Sequence, residues 1–60
     1  MQLGVYIEPN GNLLEVDCFG SCYFIYDKDK YPKYVKFVFG DNSISEWIDY
    51  LNECEYKGEL

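Results

Sequence analysis

An α+β fold is what this 60-residue chain predicts: a four-stranded antiparallel β-sheet, connected as a meander, followed by one C-terminal amphipathic helix on one sheet face. Three observations carry it. Leu3, Val5 and Ile7 alternate with Gln2, Gly4, Tyr6 and Glu8, the period of two that sends successive side chains to opposite faces of a strand. Pro9-Asn10-Gly11-Asn12 then supplies the positive φ angles of a hairpin turn. Ser43-Ile44-Ser45-Glu46 reads as a capping box, and Ile44, Trp47, Ile48, Leu51 and Cys54 after it keep the 3, 4 and 7 spacing of a buried helical stripe.

Taken in order, the first strand is expected over 1–8, with Leu3, Val5 and Ile7 toward the core. Its antiparallel return is expected over 13–18, with Leu14, Val16 and Cys18 inward. Phe19-Gly20-Ser21 makes a second connection, and the aromatic, β-branched run 22–26 makes a third strand. Residues 27–33, Asp-Lys-Asp-Lys-Tyr-Pro-Lys, break the pattern, because proline lacks an N–H and has a fixed φ. A fourth strand follows over 34–39, with Val35, Phe37 and Phe39 on one face, and the helix over 44–56 stops at Gly58. The whole is one domain, 1–60. A domain of this size buries only about 60% of the surface its unfolded chain exposes.

Twelve residues are aromatic, more than one helix on a small sheet can cover. The sheet face away from the helix is expected to carry Tyr6, Tyr23, Ile25, Tyr34 and Val38. Tyrosines and aliphatics at positions that should be solvated predict a homodimer through that face or an exposed edge strand.

Eleven acids face five lysines, with no arginine and no histidine, for a net charge of −6. That balance argues against nucleic-acid binding and against an anionic membrane surface. It favours a protein partner that is basic or has a basic nucleic-acid channel. On the helix, Glu46, Asp49 and Glu53 succeed one another at spacings of three and four on the side away from Trp47. Glu55 and Glu59 extend the field, and Tyr50 and Tyr56 are candidate anchors beside it. Each like-charge contact costs roughly 0.2–0.5 kcal/mol, so a chain selected for folding alone would gain by having lysines there. The partner-binding set is therefore Glu46, Asp49, Tyr50, Glu53 and Tyr56. Lys28, Lys30, Lys33 and Lys36 cluster among tyrosines, but the surrounding negative field makes a solvated, edge-guarding loop the better reading.

Catalytic, metal and cofactor residues are not expected. The chain has no phosphate loop and no nucleophile elbow, and Ser21, Ser43 and Ser45 sit at a turn and a helix start. Glu15 and Asp17 share one face of a strand. Cys18, Cys22 and Cys54 are an odd set: the first two are separated by one residue more than the redox motif allows, and there is no histidine to complete a zinc site. With neither a leader-like segment nor a membrane-length apolar run, a reducing, cytoplasmic setting is expected.

In its length, its charge balance and its Glu46, Asp49, Glu53 row, the chain resembles the small acidic inhibitors that bacterial viruses encode against host defence systems. The resemblance implies a non-catalytic inhibitor that blocks a nucleic-acid-handling enzyme by stoichiometric occlusion, some members by imitating DNA. The alternatives are an immunity protein or antitoxin that neutralises a basic toxin, and a structural or assembly subunit.

Overall fold

Directly opposed residues of an antiparallel pair share a face, and that rule organises the sheet. The computed structural model describes residues 2–27 and 34–59. Of the loop expected at 27–33, residues 28–33 lie outside them, and Asp27 belongs to the preceding strand. Strands β1 (Gly4–Ile7), β2 (Leu13–Phe19), β3 (Cys22–Asp27) and β4 (Tyr34–Val38) form the expected antiparallel meander. Helix α1 (Ile44–Glu53) follows, and then a fifth strand, β5 (Glu55–Gly58), where the sequence predicts the end of the helix. The sheet thus has five strands in the order β4-β3-β2-β1-β5. Helix α1 runs between its two edges, leaving β4 and delivering the chain to β5 beside β1.

The Asn-Gly turn forms as expected. Glu8 N–H donates to Asn12 O and Gly11 N–H to Glu8 O, each at 2.8 Å, with Gly11 at φ +89°. This turn pairs Ile7 with Leu13 and therefore Tyr6 with Leu14 and Gly4 with Val16. Because Leu14 and Val16 face the helix, Tyr6 and Gly4 must face it too, and Leu3, Val5 and Ile7 do not form the expected core face. The buried core is Tyr6, Leu14, Val16, Ile25, Phe37 and Leu51. Tyr6 can occupy it because its hydroxyl donates to Gln2 O at 2.6 Å and its ring meets Tyr56 edge-on at 5.2 Å.

The helix begins where expected, by a different device. Ser43 has helical dihedrals and its side chain caps nothing, so the Ser43–Glu46 capping box does not form. Asp41 takes that part, its Oδ1 accepting from Ser43 N at 2.9 Å and from Ser43 Oγ at 2.6 Å. Cys54 turns extended at φ −92°, ψ 155°, ending the helix short of the expected residue 56. Cys54 and Tyr56 then alternate with Glu55 and Lys57 at strand period, a signal present in the sequence. Gly58 is not a helix stop; it belongs to a bulge, for Val5 pairs with Gly58 while Tyr6 pairs with Tyr56, leaving Lys57 as the extra residue.

Gly4 lies where β1 is squeezed between its neighbours. It sits at φ +145°, and a Cβ there would overlap the Gly58 carbonyl oxygen and come within 2.9 Å of the Tyr56 ring. Gly4→Ala is expected to cost about 2–4 kcal/mol, enough to unfold much of a domain this small. Urea denaturation followed by tryptophan fluorescence checks it, and an unchanged midpoint would show that β5 does not press on β1.

Candidate functional site

Helix α1 presents a single row of carboxylates to solvent. Glu46, Asp49 and Glu53 are all exposed on its outer side, and its last turn contains no base. The opposite stripe packs on the sheet. Leu51 is buried, Ile44, Trp47, Tyr50 and Cys54 are half-buried against the core, and Ile48, expected in the stripe, stands at its exposed margin. The row is therefore available to a partner, and the packed stripe holds it on a rigid support.

Tyr50 and Tyr56 do not flank this row as expected. Tyr50 leans inward and donates its hydroxyl to Glu8 Oε1 at 2.7 Å, 42 residues away in sequence. Tyr56 belongs to β5, not to the helix, and its hydroxyl donates to Leu3 O at 3.0 Å. Both hydroxyls are engaged within the fold.

Residues missed by the sequence reading complete the site. Glu8 at the end of β1, Asp27 at the end of β3 and Glu46 in the first turn of α1 border one cleft of about 400 Å³. Leu14 and Ile25 lie at its base, and Trp47 and Tyr50, edge to face at 6.1 Å, form its helix side. Glu46 belongs both to the helix row and to the cleft, so the negative surface runs from α1 onto the sheet. Glu8 Oε2 is buried with no hydrogen-bond partner among the described residues. No local pattern flags Glu8, which looks like an ordinary strand-end residue until the helix is laid across the sheet.

The residues assigned to a common outer sheet face are not together. Tyr6 and Ile25 are buried beneath α1, and Tyr23 packs against the same core with its ring 4.5 Å from Phe39. Tyr34 and Val38 do lie on the uncovered side, each 54% exposed. The cause is the β2–β3 register, which sets Ile25 opposite Val16 and Tyr23 opposite Cys18 and so assigns odd-numbered β3 residues to the helix side.

Cys18 and Cys22 point to opposite faces, since Cys18 opposes core-side Tyr23 whereas Cys22 opposes Phe19 and Val38. Among the described residues no group of three potential ligands is close enough to hold a metal ion, and no helix is long and apolar enough to cross a membrane. The Ser43 hydrogen bonds hold the Asp41 carboxyl below its usual range. Burial raises the Cys54 thiol, the reverse of an activated nucleophile. No protein-family model, curated protein or solved structure matches this chain.

Tyr50 is pushed up to about 12, first by its bond to Glu8 and then by burial. A phenol whose folded value lies above its unfolded value of 10 stabilises the fold fully below pH 10, and that contribution is lost as pH rises toward 12. Tyr50→Phe is expected to remove about 1–3 kcal/mol at neutral pH by orphaning Glu8 Oε1. It should also flatten the loss of stability across that alkaline window, as read by denaturant melts at stepped pH; an unaltered profile would mean that the bond is not made in solution.

Proposed function

We propose that this chain is a non-catalytic acidic inhibitor that occludes a basic working surface on a nucleic-acid-handling protein, as the viral anti-defence proteins it resembles do. The observation that carries this reading is the continuity of the Glu46, Asp49, Glu53 row with the Glu8 and Asp27 cleft, so that carboxylates from three elements share one side of the molecule. A surface of that kind attracts positive macromolecules from a distance and accelerates encounter. At contact, the cleft offers a lysine or arginine side chain the rings of Trp47 and Tyr50 next to carboxylates, so that aromatic and ionic attraction act together.

The mechanism is occupation and requires no bond to be made or broken. Row spacing matters because successive carboxylates one helical turn apart meet successive basic groups that otherwise hold backbone phosphates. Self-assembly of this chain through its sheet is compatible with inhibition, since it uses the opposite side of the molecule.

The test is a triple variant, Glu46→Gln, Asp49→Asn and Glu53→Gln, assayed with wild type against a panel of purified defence nucleases and helicases. Binding by the variant is expected to fall at least about tenfold, and wild-type binding to weaken steeply from 50 to 300 mM salt, about the range over which surface charges become screened. Its fold should persist, with slightly higher stability because repulsions of roughly 0.2–0.5 kcal/mol per pair are gone. Full potency in the neutralised variant would eliminate this function.

A further inference from the structure

We propose that the sheet face not covered by α1 is a self-association surface whose occupant is a second copy of this chain. In the dimer, β3 lies on the partner's β3 about a two-fold axis parallel to the strands.

The face is built for burial. Phe24, Tyr26 and Tyr34 form one ring cluster there, with centroids 5.7–6.3 Å apart. Val38 beside it is 54% exposed and Phe19 82%. A sheet meant to stay open on one side carries polar residues at such positions. Two such faces stack about 10 Å apart, as in an ordinary β-sandwich. A stable dimer takes about 800 Å² from each partner, roughly a fifth of this molecule's 4128 Å². A broad face of a domain measuring 29 × 23 × 19 Å supplies an area of that order.

Charge identifies the occupant. The helix side carries the carboxylate row and repels another copy of a −6 molecule. The sheet side holds opposite charges in a self-complementary order: Asp17, Phe24 and Lys36 oppose one another on β2, β3 and β4, so an acid and a base flank the central ring, one strand to either side. Lys36 Nζ already stands 6.0 Å from the Phe24 ring centroid. Rotation about an axis along β3 exchanges the positions of β2 and β4. Phe24 then meets the partner's Phe24, while Asp17 meets the partner's Lys36 and Lys36 the partner's Asp17. A generic basic partner would have no use for Lys36 there, and a generic acidic one none for Asp17.

Light scattering at about 100 µM, a concentration at which a micromolar dimer is nearly saturated, is expected to give twice the 7.1 kDa chain mass. Asp17→Lys and Lys36→Asp, made separately, each set like charges against one another twice and should weaken the dimer roughly a hundredfold. An equimolar mixture of the two variants restores both pairs and should recover the dimer. As a readout that needs no substitution, a bismaleimide about 10 Å long, matching the spacing of stacked sheets, should join Cys22 to the partner's Cys22, both lying on β3. A wild-type monomer at that concentration, a dimer indifferent to both substitutions, a mixture that stays monomeric, or absence of the Cys22 cross-link would each overturn the proposal.

Discussion

One helix laid across a five-stranded sheet can cover only one side of it, and most features of this molecule follow from that limit. Helix α1 must leave one edge at β4 and deliver the chain to the other edge at β5, so its ten residues lie over the sheet's interior. Beneath it the core is a single layer, Tyr6, Leu14, Val16, Ile25 and Phe37, capped by Leu51. A core so thin is filled by rings that must satisfy their own hydroxyls. Tyr6 does so through Gln2, Tyr56 through Leu3 and Tyr50 through Glu8.

The two sides of the sheet consequently have different chemistry. On the helix side most apolar surface is consumed by packing, and the outer face of α1 carries the carboxylate row. On the other side no element among the described residues covers the strands, and Phe19, Tyr34 and Val38 are exposed. Strong like charge and uncovered apolar area would work against each other if they were mixed, because each interface demands desolvation that charge resists. The thickness of the sheet keeps the two apart.

Much of this is legible in the sequence. The Asn10-Gly11 turn, the four meander strands and the onset of the helix near Ile44 rest on local backbone preferences, which act within a few residues and survive into the fold. The exposed row Glu46, Asp49, Glu53 was equally readable, since helical spacing alone places the three together. What failed was the choice between two faces of equal local merit. Leu3, Val5 and Ile7 make a more apolar face of β1 than Gly4 and Tyr6, yet the pairing of Tyr6 with Leu14 reverses the assignment. Tyr6 joins the core for that reason, and the β2–β3 register, which sets Ile25 opposite Val16 and Tyr23 opposite Cys18, turns those two toward it as well. The helix tail failed similarly, because 54–58 fits both periods over so short a run and only the vacant edge of β1 selects the strand.

Composition and short-range pattern by themselves determined the class of fold, the sign of the surface and the place of the acid row, because these depend on residue type and on spacing along one element. Tertiary structure alone decided which face of β1 is buried, that Asp41 and not a Ser43–Glu46 pair holds the helix start, and that Glu8 and Asp27 stand beside Glu46. Those outcomes bring together residues up to dozens of positions apart, and strand register, not local preference, sets which of them meet.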